Sequence, residues 1–133
     1  MGRILCIATL AFTVLSIATV GCRADTDGRE ESEIRPAPIH EIQVNIAESF
    51  PEQIFVYIKG GLVDSCTTFR ELTTERSGNS INIALTTERP KDAICIQVYD
   101  YFEKNVALGS DFARGENYTV NVNDAAISFN YPN

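Results

Sequence analysis

Apolar and polar residues alternate with period two along most of the chain from residue 41 onward, the signature of half-buried strands. Ile42, Val44 and Ile46 alternate with Glu41, Gln43 and Asn45, and Glu48-Ser49-Phe50-Pro51 ends that run. From Gln53 to Lys59, Ile54, Val56 and Ile58 lie on one face and Phe55 and Tyr57 on the other. A strand apolar on both faces is predicted to be central in a sandwich, with Gly60-Gly61 as its end. Ile81, Ile83 and Leu85 repeat the pattern after a Ser77-Gly78-Asn79-Ser80 turn. Arg89-Pro90-Lys91-Asp92 predicts the next turn, because proline pre-sets φ and cannot donate to a ladder. Ile94 to Phe102 reads as a further strand, Val106 to Leu108 as a short one, and Tyr118–Val122 with Ala126–Phe129 as a hairpin through Asn123-Asp124. Seven to eight short strands with frequent turn signals and no helical period predict an all-β sandwich or barrel over residues 41–133.

Residues 1–40 read differently. Arg3 precedes an uncharged apolar run from Ile4 to Val20, the layout of a secretory signal over residues 1–21. A transmembrane anchor is the alternative, but the run is short for a span of about 20 residues and no basic cluster follows it. Residues 22–40 are polar, acidic and broken by Pro36 and Pro38, which predicts a solvated flexible tether. Asp25-x-Asp27-Gly28 starts like a calcium loop, without the later ligands at their offsets. His40, the only histidine, falls within this tether.

Ala18-Thr19-Val20-Gly21-Cys22 resembles the lipoprotein signal of bacteria, with Thr19 where leucine is more usual. The resemblance implies cleavage before Cys22 and a diacylglyceryl group on its sulfur, so that a membrane holds the protein through an N-terminal lipid. Ordinary cleavage nearby, leaving a free Cys22, is the other outcome. Arg23 in place of aspartate resembles the outer-membrane sorting rule of two-membrane envelopes. The expected location is exported and membrane-anchored, facing the extracellular or periplasmic side.

Charge narrows the partners. The net charge is −7, and Arg3 is the only charge in the first 22 residues, so the rest of the chain carries −8. An acidic chain without a basic cluster points away from nucleic acid and from anionic lipid headgroups. Of four cysteines, Cys6 leaves with the signal and Cys22 takes the lipid, which leaves Cys66 and Cys95. An even pair in an oxidising compartment reads as a disulfide. Metal ligation would need two more ligands, and a redox pair would favour Cys-x-x-Cys spacing. No metal or cofactor is therefore expected.

The sequence carries no hydrolase triad and no phosphate-cradling glycine loop. From Glu41 onward the chain holds 13 acidic and 7 basic residues, so composition alone leaves a glycosidase-like carboxylate pair open, although scattered carboxylates more often serve solubility. The protein is expected not to be an enzyme. Two patches are candidate binding surfaces. One is the aromatic strand carrying Tyr99, Tyr101 and Phe102. The other is a loop set, Gly60, Gly61 and Asp64 with Arg89, Pro90, Lys91 and Asp92, which a Cys66–Cys95 bridge would hold together at one end.

Three further resemblances bear on fold and function. Gly115-Glu116-Asn117-Tyr118-Thr119-Val120-Asn121-Val122 resembles the tyrosine corner of immunoglobulin-like domains, in which Gly115 and Tyr118 would pin a crossover between sheets. The absence of tryptophan and the cysteine spacing set the chain apart from the antibody subtype. Arg89-Pro90 distantly resembles a loop of immunoglobulin-like cysteine-protease inhibitors, with Lys91 in place of the aromatic that should follow. Finally, Arg89-Pro90-x-Asp92-Ala93-x-Cys95-x-Gln97, Phe102-Glu103-x-x-Val106-x-Leu108 and the Tyr118 motif together look like small uncharacterised bacterial lipoproteins carrying one immunoglobulin-like domain. That likeness implies an immunoglobulin-like antiparallel sandwich and an envelope address. The expected function is a non-catalytic binding or accessory module for a protein or glycan, with a protease inhibitor or a ligand-free spacer as alternatives.

Overall fold

The computed structural model describes residues 31–133. The expected signal segment, Cys22 and the Asp25–Gly28 stretch lie outside the described residues. Eight strands form two packed sheets: β1 (Ser32–Pro36), β2 (Ile39–Ala47), β3 (Gln53–Leu62), β4 (Thr68–Ser77), β5 (Ser80–Pro90), β6 (Asp100–Gly109), β7 (Asn117–Val122) and β8 (Ala125–Asn130). One sheet has three strands in the order β2-β3-β6, with β3 central as its two-sided apolar pattern predicts. The other is built on β5. One edge of β5 pairs with β4, and the opposite edge is shared by β1 and β7, with β8 beyond β7.

The core lies between the sheets and is made by the period-two residues. Ile54, Val56 and Ile58 of β3 meet Ile81, Ile83 and Leu85 of β5 and Tyr118, Val120 and Val122 of β7, all buried. Ile42, Val44 and Ile46 pack against this cluster from β2. Burying a side chain of this size contributes roughly 1.5–3 kcal/mol, which is why the alternation dictates the register.

Four features differ from the sequence expectations. The tether does not extend to residue 40. Ser32–Pro36 is a strand, paired Ser32↔Pro90 through Pro36↔Thr86 with β5. Ala37 is buried, and its N–H donates to Leu85 O at 2.9 Å. This strand is held by backbone ladder bonds rather than by an apolar face of its own, so hydrophobic patterning carries no trace of it. Gly60-Gly61 does not end β3, which runs on to Leu62. Ile94–Tyr99 is not a ladder strand; β6 starts at Asp100 and absorbs the short strand expected at Val106–Leu108. Lastly, β5 and β7 pair in parallel, Ser80↔Thr119 through Ile83↔Val122. The chain crosses to the second sheet as β6 between them, and such long crossovers are what parallel pairing requires.

The junction between β1 and β7 along β5 is closed by a side chain. Asn123, at φ 51° in the β7–β8 turn, accepts from Leu85 N at 3.0 Å. Its amide nitrogen donates to Leu85 O at 2.9 Å and to Ala37 O at 2.8 Å. The amide thus supplies a local ladder where no strand is available.

Candidate functional site

Two regions hold the residues singled out from the sequence. At one end of the sandwich, Cys66 and Cys95 form a disulfide with a Cα–Cα distance of 5.6 Å. Beside it lies Asp64, buried in the turn after β3. Its carboxylate accepts from Thr67 Oγ1 at 2.7 Å, Cys66 N at 3.1 Å and Arg89 Nε at 2.6 Å. The Thr67 hydroxyl, together with Arg89 and the Cys66 amide, holds the Asp64 carboxyl below the usual carboxylate range, against the opposing effect of desolvation. The Arg89 guanidinium also reaches Ala93 O at 3.4 Å and Cys95 Sγ at 3.3 Å.

Arg89 and Pro90 therefore do not form a projecting loop. Both belong to β5, and the Arg89 side chain turns inward to join the Asp64 turn to the Cys95 segment. Lys91 and Asp92 are the exposed turn residues. Asp64, Cys66 and Cys95 stand close enough to suggest a metal site. The chemistry of the donors does not fit one: the sulfurs are spent in a disulfide, so neither is a thiolate, and the carboxylate is occupied by Arg89.

The second region is the outer face of the three-stranded sheet. Phe55, Tyr57 and Lys59 of β3 line it, flanked by Glu41 and Gln43 of β2 and by Tyr101 and Glu103 of β6. Gly60 and Gly61 are buried strand residues opposite Phe102 and Tyr101. A Cβ on Gly60 would fall inside the Phe102 ring, and one on Gly61 would collide with the Tyr99 hydroxyl. Close approach of aromatic rings, rather than a turn, explains the glycine pair.

Above Gly61, three rings converge. His40, placed outward at a bulge in β2, bonds through Nε2 to the Tyr99 hydroxyl. Ring centroids are 5.5 Å apart for His40–Tyr99, 5.2 Å for His40–Tyr101 and 5.3 Å for Tyr99–Tyr101. Lys59 Nζ stands 4.5 Å from the Tyr101 ring centre, within cation–π range. Desolvation pushes the Tyr99 phenol up, with a smaller contribution from Tyr101. Tyr57 is likewise raised, chiefly by the neighbouring Glu103 side chain and then by desolvation.

Of the aromatic strand expected from the sequence, Tyr99 and Tyr101 are half exposed and belong to this cluster. Phe102 does not: it faces inward against the core, 5.1 Å from the Phe69 ring. His40, assigned to the tether by sequence, belongs to the site. The bulge that turns it outward leaves no signal in a hydrophobic pattern. At the opposite end of the domain, the Tyr118 hydroxyl accepts from Ala113 N at 2.8 Å, reaching back five residues. Gly115, at φ 76°, makes the intervening turn in a conformation that favours glycine.

The model of the ORF11 beta-sandwich domain matches residues 56–131. One relative from Herpetosiphon aurantiacus, described as an uncharacterized 10.2 kDa protein in the HgiCIIM 5′ region, is 41% identical over 88 residues. That alignment covers 66% of this chain and 93% of the relative. A second from the same organism, an uncharacterized 10.2 kDa protein in the HgiBIM 5′ region, is 44% identical over 78 residues, 59% of this chain and 94% of its own. No solved structure matches. With the family match spanning more than half of its length, the chain belongs to the ORF11 beta-sandwich domain family.

Proposed function

We propose that this protein is an exported lipoprotein, held to a membrane through lipid on Cys22, whose sandwich is a non-catalytic binding module for a protein or glycan. The lipid assignment rests on the Ala18-Thr19-Val20-Gly21-Cys22 motif. The binding assignment rests on one observation: His40, Tyr99, Tyr101 and Lys59 gather on the open face of a three-stranded sheet. Half-exposed tyrosines on a rigid strand offer large contact area at little conformational cost, and sugars and peptides both pack on such rings. The disulfide and the Asp64–Arg89 pair fix the segment that presents Tyr99. Because Arg89 is engaged inward, an inhibitor wedge would be left with only Lys91 and Asp92, and that alternative draws little from the geometry.

A photo-crosslinking residue at position 101 of the full-length protein, activated in intact cells, tests this reading. The expected result is a discrete adduct from position 101 that disappears with His40→Ala and Tyr99→Ala. An adduct from control position 75 on β4 but none from 101 would overturn the assignment of the face. No adduct from any position, with glycan-bearing envelope fractions also negative, would favour a ligand-free spacer.

A further inference from the structure

Among the described residues, exposed apolar side chains concentrate at the disulfide end. Ile94 is 102% exposed, Ile96 71% and Val98 54%, and they follow one another along a single segment. The cause is one of parity. Side chains alternate along an extended segment, and Cys95 must face Cys66, so Ile94 and Ile96 must face out. The segment is also pinned: Ser65 N donates to Ile96 O at 3.1 Å, and Ile96 N donates to Ser65 Oγ at 3.0 Å. A fixed row of β-branched residues is thereby held in water, where nothing in the domain covers it. Contiguous exposure of this kind marks a contact surface.

The path of the chain identifies the occupant. Glu31, the first described residue, is bonded at this same end: Lys91 N donates to Glu31 O at 2.8 Å, and Lys91 Nζ to its carboxylate at 2.6 Å. Only eight residues separate Cys22 from Glu31, a reach of about 30 Å when fully extended. A lipid on Cys22 therefore holds this end within about 30 Å of the bilayer, whereas the Phe50 turn lies beyond the far end of β3.

We infer that the row Ile94, Ile96 and Val98 inserts into the bilayer surface beside the Cys22 anchor. The inference rests on the lipoprotein reading proposed above. Exposed aliphatic side chains settle at the acyl boundary, the usual depth preference of such residues. The acidic chain makes this an apolar insertion into neutral lipid rather than an attraction to anionic headgroups. It also orients the sandwich, with β3 rising from the membrane and the Phe50 turn outermost.

The chain contains no tryptophan, so a single introduced one reports its own surroundings. The mature full-length protein is extracted from membranes and reconstituted in phosphatidylcholine vesicles with brominated acyl chains. Mass spectrometry of the same sample determines whether Cys22 is lipidated. The expected result for Ile96→Trp is a blue-shifted emission that loses most of its intensity to the bromines, while Phe50→Trp is neither shifted nor quenched. Unquenched Ile96→Trp in vesicles carrying lipidated protein would overturn the insertion and leave the anchor standing. A Cys22 without lipid would overturn both. A blue shift that depends on protein concentration and ignores bromine would show that a second copy covers the row, and would also overturn the inference.

Discussion

Removing the disulfide separates the effect of a cross-link on the unfolded chain from its effect on the native loops. The perturbation is Cys66→Ser together with Cys95→Ser, which leaves no unpaired thiol in the domain. The cysteines lie 29 residues apart, and the chain-entropy model converts a loop of that length into about 3.5 kcal/mol of lost stability. The native side of the balance changes little. Ser65 still bonds Ile96, and Arg89 still bonds Asp64 and Ala93 O, so the two segments stay aligned without the sulfurs. For a domain of roughly 100 residues, the loss corresponds to a fall in Tm of roughly 15–25 °C. Urea unfolding provides a second reading. An uncross-linked denatured chain exposes more surface, so the m-value should rise along with the fall in midpoint. A loss under about 1 kcal/mol, the size of an ordinary point substitution, with m unchanged would refute the reasoning. A large loss with unchanged m would shift the effect to the native loops.

Other perturbations reach separate parts of the structure. Asn123→Ala removes the amide that bridges Leu85 and Ala37 and leaves buried backbone groups without partners. A loss of about 1–3 kcal/mol is expected in urea titration, and a neutral result would mean that the turn repacks. Tyr118→Phe removes the acceptor of the Ala113 amide and should cost about 1 kcal/mol in the same assay, while the contacts of its ring with Phe112 and Phe129 persist. Asp64 has its carboxyl lowered by folding. Its contribution to stability is therefore present above the ordinary carboxylate value of about 3.9 and is lost as pH falls through the lower native value. Subtracting the stability–pH curve of Asp64→Asn from that of the native protein should leave a difference that shrinks below about pH 4; a difference constant down to pH 2 would count against the assignment.

What could be read from the sequence depended on whether a strand earns its place by burying side chains. The runs around Ile42, Ile54, Ile81 and Tyr118 each place alternate residues toward one core, and period-two patterning found all four. β1 is held through backbone bonds to β5, with Ile34 half exposed, so its composition resembles a solvated tether. The Gly60-Gly61 pair carries two meanings in sequence, chain reversal and room for a ring. Only the register, which sets Gly60 opposite Phe102, decides between them. His40 joined the site through a bulge, a one-residue irregularity that no pattern of residue types records.

The Ile94–Tyr99 segment shows how the same alternation can point the wrong way. Ile94, Ile96 and Val98 recur with the period of a buried strand face, and on composition they outrank Cys95 and Gln97 as core residues. The disulfide reverses that order. A bridge to Cys66 at a Cα–Cα distance of 5.6 Å fixes the inward direction at Cys95, and its neighbours Ile94 and Ile96 face out. The clue was present in the sequence, because a paired cysteine belongs inside and its immediate neighbours then belong outside. Burial of three such side chains would stabilise the domain by several kcal/mol at about 25 cal/mol per Å². A fold that forgoes this while fixing the segment with a disulfide, two Ser65 bonds and the Arg89 guanidinium holds an apolar row outward as a feature of its architecture. Stability within the domain does not account for that row; contact with a bilayer, as proposed above, would.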